Sequence, residues 1–188
     1  MTTTPTSLRR AALVGARAGV IASLGMAMYA MIAAYAKDTG FFTPLYHIAS
    51  LVGDDTDMMT SMMAAGLEGD SFTFLAGPAL LGAMIHMMTG AMFGAVFGLA
   101  VARLRLGLAP LAGIGLGYGL VVFAVSAYLA LPLAAAIFGS GDAIKDMAQL
   151  AGWGTFIVEH LVFGLVLGVV TVLGRRAVAS VPEHAAAH

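Results

Sequence analysis

The sequence predicts an all-α membrane protein with four transmembrane helices, and three observations carry that prediction. Hydrophobic residues make up 60% of the 188 and charged residues 10%, against about 45–50% and about 25% in a soluble domain. The apolar residues gather into four runs, each long enough to supply the roughly 20 residues that a bilayer-spanning helix needs. The charges are sorted between the runs by type, with every arginine on one side of the map. Such a composition excludes an ordinary water-soluble enzyme and a nucleic-acid binder. The absence of cysteine removes disulfides, thiolate nucleophiles and iron–sulfur clusters.

The runs cover about residues 18–36, 76–102, 106–131 and 152–174. Pro132 lacks an N–H and disfavours helix at the residue before it. It therefore predicts a break, followed by a short interfacial piece over 132–139. Residues 9–10, an apolar run and Ala34-Tyr35-Ala36 share the outline of a cleaved signal peptide. That run is longer than a signal core and has a counterpart later in the chain, which favours a retained helix.

Arg9, Arg10 and Arg17 precede the first span, Arg103 and Arg105 separate the second from the third, and Arg175 and Arg176 follow the fourth. The other two connections hold Lys37 and Lys145 among eight acids: Asp38, Asp54, Asp55, Asp57, Glu68, Asp70, Asp142 and Asp146. By the positive-inside rule both termini are cytoplasmic and the acidic connections face outward, as in a multi-pass protein of the inner (plasma) membrane. The expected layout is one four-helix domain over 1–188. Flexible ends cover 1–12 and 177–188, and an outer loop covers 37–75.

His86-x-x-x-Gly90-x-x-x-Gly94 in the second span is matched by His160-x-x-x-Gly164-x-x-x-Gly168 in the fourth. The simplest account is two tandem hairpins of equal orientation, related by an axis along the membrane normal. Glycines spaced by four form stripes suited to close helix packing, so Leu at Gly90 or Gly164 should disrupt assembly. In the first outer loop, residues 41–51 are apolar enough to lie at the interface, with Tyr46 and His47 at headgroup depth. Residues 54–68 read as a short amphipathic helix started by Asp54, Asp55 or Thr56. Trp153 suits the outer boundary.

An ionisable residue at mid-span costs about 2.5–3.5 kcal/mol on insertion scales and is a functional candidate. Three qualify: His86, Glu159 and His160, each one to two turns below the outer boundary. Two imidazoles at equal depth on glycine-lined faces would hold a copper ion or a haem b, or would hydrogen-bond neighbouring helices and bind nothing. The methionines favour copper. Apart from Met1 and Met147, all lie between Met26 and Met92, and thioether with imidazole selects Cu(I). Met84, Met87 and Met88 flank His86 in sequence, while Met58, Met59, Met62 and Met63, with His47, sit outside it as candidate acquisition ligands. The alternative is that these methionines fill gaps and form contact surfaces. Glu159 would bond Tyr29, Tyr128 or Ser126, or form a proton relay with His160 and His86.

Phe41-Phe42-Thr43-Pro44-Leu45, Ile85-His86, Gly117-Tyr118-Gly119-Leu120-Val121 and Glu159-His160-Leu161-Val162-Phe163-Gly164 resemble those of a family of small bacterial four-helix inner-membrane proteins. The resemblance implies the four-helix fold and no activity. Three functions stay open at this point. They are a copper- or haem-binding protein, an accessory subunit of a larger membrane complex or homo-oligomer, and a small proton-coupled transporter using Glu159.

Overall fold

A backbone that cannot reach water must bond to itself, and the computed structural model, which describes residues 5–179, is helical throughout its apolar stretches. There is no strand among the described residues. The long helices are α1 (Pro5–Ala36), α4 (Ala76–Ala100), α5 (Leu108–Val125) and α9 (Trp153–Ala179). Between α1 and α4 lie α2 (Thr43–Ala49) and α3 (Thr56–Met63); α6 (Leu131–Phe138), α7 (Gly141–Lys145) and α8 (Met147–Ala151) lead from α5 to α9. Four helical segments are long and apolar enough to cross a membrane: Leu8–Ala36, Ala76–Ala100, Leu108–Phe138 and Trp153–Arg176. Their large apolar side chains are largely exposed, Leu13, Ile21, Leu24 and Ile32 on α1 among them. That is the arrangement expected where lipid is the solvent.

Two of these bounds differ from the sequence reading. The first helix reaches back to Pro5, through part of the end expected to be flexible, because residues 5–17 hold no glycine pair or internal proline to stop it. Helix α9 runs on through 177–179, the start of the other end expected to be flexible, and the rest of that end lies outside the described residues. Pro132 breaks nothing. Residues 126–130 form a π-helical turn in which the Leu131 N–H bonds Ser126 O, five residues back, and the helix continues as α6 with Pro132 in its first turn. The wider turn absorbs the missing donor that would have kinked a regular α-helix. A second π-helical turn, Ala64–Glu68, continues α3 and ends at left-handed Gly69.

Glycine sets which helices touch. A Cβ on Gly19 would collide with Gly90 O, and one on Gly15 or Gly94 with the other's carbonyl oxygen. Thus α1 and α4 lie backbone to backbone. The same holds for α5 and α9, where Gly115 meets Gly164 and Gly168, and Gly119 meets the His160 carbonyl. Helix α1 also packs along α9, over a core of Ala18, Ala22, Phe97, Leu111, Phe163 and Leu167. Helices α4 and α5 approach at Tyr118, whose hydroxyl donates to Phe93 O at 2.8 Å and whose ring lies 5.1 Å from Phe97. At the arginine-bearing end, Arg175 donates to Val101 O and Leu104 O and so satisfies carbonyls at the end of α4.

At the opposite end aromatic side chains gather. Phe72 packs on Tyr35 and Phe41, and Tyr128 stacks on Trp153 at 5.8 Å. Helix α2 packs onto the bundle. Its Leu45 backbone lies on Gly82 of α4, and Tyr46 and His47 are buried against the bundle. The Tyr46 hydroxyl accepts from Leu75 N–H and donates to Thr73 O, fastening α2 to the start of α4.

The seams define a test. Gly94→Val drives a side chain into the α1 backbone and should cost at least about 1–3 kcal/mol, whereas Gly117→Val, with open space around its Cβ, should melt in mild detergent near the wild-type temperature. Equal melting of the two variants would contradict the backbone contact.

Candidate functional site

Close contact at the glycine seams leaves the helices apart at the end with the acidic connections, and two adjoining cavities open there. The smaller, about 220 Å³, lies beneath α2 and α3 and is bordered by Lys37, His47, Met58, Met59, Met62 and His86. The larger, about 530 Å³, lies between α4 and the α5–α6 helix and reaches Ser23 of α1. His86, Glu159, Phe156, Ile48 and Met147 border both. His160 borders the larger one, with Phe93, Ser126 and Phe163.

The histidines are held by backbone carbonyls. His86 Nε2 lies 3.1 Å from Ser23 O, His160 Nδ1 2.6 Å from Phe156 O one turn back, and His47 Nε2 2.7 Å from Ala143 O of α7. A carbonyl accepts and cannot donate, so each of these nitrogens carries the proton. In the neutral rings, Nδ1 of His47 and His86 and Nε2 of His160 keep lone pairs. The i−4 bond of His160 also holds its ring against Phe156 and Phe123, with centroids 4.4 and 5.9 Å away.

Glu159 is 6% exposed. It makes neither a hydrogen bond nor an ion pair among the described residues, so the expected bonds to Tyr29, Tyr128 or Ser126 are not formed. Tyr128 is drawn outward onto Trp153, and Ser126 sits across the larger cavity. Lys37 is an unexpected neighbour. From beyond the end of α1 its ammonium donates to Ala151 O and Thr155 Oγ1, one turn above Glu159. Gly152 (φ +89°) lets the chain turn there between α8 and α9.

The methionines divide. Met58 is buried, and Met58, Met59 and Met62 border the smaller cavity, whereas Met63 is exposed and borders neither. Met84 and Met88 are 47% and 73% exposed on α4, away from His86. Two residues along a helix is about 200° of rotation, so neighbours of His86 at 84 and 88 point opposite to it. Met87 also borders neither cavity. Adjacency in sequence does not bring the Met84 and Met88 side chains to His86. Met147, outside the Met26–Met92 group, borders both cavities.

Among the described residues no three His, Asp or Glu side chains converge to hold a metal ion, so no zinc- or iron-type nitrogen and oxygen site is formed by them. The donors that border the smaller cavity are the thioethers of Met58, Met59, Met62 and Met147 and the imidazoles of His47 and His86, together with the Glu159 carboxylate and threonine hydroxyls.

Fold and site together define a class: an all-helical protein with four helices apolar enough to span a membrane and buried ionisable groups around cavities at one end. No family model matches the chain, and neither the curated proteins nor the solved structures hold a match. The site must therefore be read from its own chemistry.

Burial pushes the His47 imidazole below its ordinary value, against smaller opposing effects of the Ala143 bond and Asp55. The unfolded chain then binds more protons below about pH 6.5, so His47 costs stability as pH falls. His47→Gln, which keeps a donor for Ala143 O, should flatten part of the fall in melting temperature between about pH 6.5 and pH 5. An unchanged profile would contradict the buried, neutral ring.

Proposed function

We propose that the chain is an integral binding protein of the inner membrane that takes up monovalent copper at the smaller cavity. The supporting observation is that Met58, Met59 and Met62 of α3 and the imidazoles of His47 and His86 border one space. Thioether and imidazole are the ligand types that favour Cu(I) over harder cations. The carbonyl bonds support the reading too, because a metal-binding histidine characteristically gives its other N–H to such a partner. His160 borders the adjoining cavity and Glu159 borders both, where they would receive a proton or a second ligand. A haem b between His86 and His160 would leave the methionines of α3 without a role, and copper is preferred on that ground.

In this reading the acidic connections face outward and both termini inward, because the arginines gather at the opposite end. The glycine seams of α1 with α4 and of α5 with α9 fit two tandem hairpins of one ancestral unit. Helices α2 and α3 lie at the outer interface, where Met59 and Met62, 45% and 37% exposed, meet the ion first.

Competition against a chromophoric Cu(I) chelator, on protein purified in mild detergent under reducing conditions, tests the proposal. Wild-type protein should withdraw near-stoichiometric copper. Met58→Leu with Met62→Leu, a volume-conserving change, should weaken uptake at least tenfold, about 1.4 kcal/mol. Met84→Leu with Met88→Leu should leave it unchanged. Equal loss in both double variants, or no uptake by the wild type, would overturn the site, and a Soret band on the purified protein would favour haem.

A further inference from the structure

We propose that the larger cavity binds a lipophilic organic cation, which enters from the bilayer between α4 and α6 and places its charge beside the Glu159 carboxylate. This goes beyond the copper reading and does not rest on it, since the thioethers of α3 border the smaller cavity alone.

Three observations carry it. The first is access. Met92 of α4, near the Tyr118 contact, and Phe138, at the far end of α6, each border the cavity while remaining 56% exposed, so the cavity reaches the outer surface of the bundle at both limits of the gap between α4 and the α5–α6 helix. Helix α4 meets α5 at Tyr118, nearer the arginine end, and the two diverge beyond it. The π-helical turn at Ser126–Ala130 lies on the cavity wall, with Ser126 and Ala130 lining it.

The second is charge. Glu159 is more than nine-tenths buried, borders the cavity and has no partner among the described residues. A buried, unpaired carboxylate is expensive, and a cationic ligand supplies what the fold does not. No lysine or arginine borders this cavity. Lys37 borders only the smaller cavity, which Glu159 also reaches; its charge acts on Glu159 across that space, but its ammonium is bonded to Ala151 O and Thr155 Oγ1 and forms no ion pair with the carboxylate.

The third is the rest of the lining. In the neutral rings, His86 and His160 each offer an unprotonated nitrogen and no free N–H, because Ser23 O and Phe156 O take their protons. The Ser23 and Thr89 hydroxyls give their protons to Gly19 O and Ile85 O, so apart from the Ser126 hydroxyl the polar lining presents acceptors, which disfavour an anionic or acceptor-only headgroup. Phe93, Phe156 and Phe163 add aromatic surface, and ring faces attract a weakly hydrated cation.

The probe is tetraphenylphosphonium, titrated calorimetrically into the full-length protein in mild detergent at mildly alkaline pH. Its comparator, tetraphenylborate, has the same shape and the opposite charge. The cation should bind saturably and the borate should not. Glu159→Gln should weaken cation binding at least about thirtyfold, the loss expected when one partner of a buried charge pair is removed. Met84→Leu, outside both cavities, should bind as the wild type does. Equal binding of the two ions, or no saturable binding of the cation, would overturn the proposal on the wild-type protein alone. Unchanged affinity in Glu159→Gln would overturn the role of the carboxylate.

Discussion

Everything at the site depends on helices that touch through their backbones. In lipid there is little hydrophobic drive between apolar helices, and close approach supplies the packing. Gly15 and Gly19 against Gly90 and Gly94, and Gly115 and Gly119 against Gly164 and Gly168, bring α1 to α4 and α5 to α9 nearer than any side chain would allow. Where that contact runs, the bundle is closed, and Leu111, Leu167 and Thr171 are fully buried beside it. Above it the glycines give way to Ser23, His86, Phe156 and Glu159. Larger side chains hold the helices apart, and the cavities are the space that results.

The polar groups in that space are prepared by the backbone. Ser23 O and Phe156 O fix one nitrogen of each intramembrane histidine, so the lone pairs left over are set before any ligand arrives. Helix α2 and the short helices α7 and α8 close the cavities from the acidic end. His47 bonds across from α2 to α7, and Ile144 and Met147 sit on the cavity wall. Glu159 stands where the two cavities meet and is the one strong anion-former among the lining residues of the larger cavity. Binding of a cation and burial of that carboxylate are two sides of the same energetic problem.

Much of this was legible in the residues. Length and hydropathy located the four spans, and the spacing of Gly90, Gly94, Gly164 and Gly168 identified the faces that would pack. His86, Glu159 and His160 stood out because an ionisable group in an apolar run is costly. What could not be read was anything set by tertiary direction. Met84 and Met88 were grouped with His86 by adjacency, although helical rotation turns them to the outside. Pro132 carried a strong local signal for a break, which the π-helical turn at 126–130 overrides. Lys37 was counted as a loop charge, and only the fold brings it to Ala151 and Thr155. Met147 lies outside the Met26–Met92 group in sequence, yet it borders both cavities.

The central claim is that one end of the bundle holds an accessible cavity while the other is sealed by the glycine seams. The chain has no cysteine, so single thiols report cleanly. The measurement is the rate at which a small methanethiosulfonate reagent labels Ser126→Cys, on the wall of the larger cavity, compared with Thr171→Cys, fully buried towards the arginine end. The account predicts ready labelling at position 126, slowed by tetraphenylphosphonium, and none at 171 in the folded protein. Equal labelling at the two positions, or protection of 126 with labelling of 171, would contradict it.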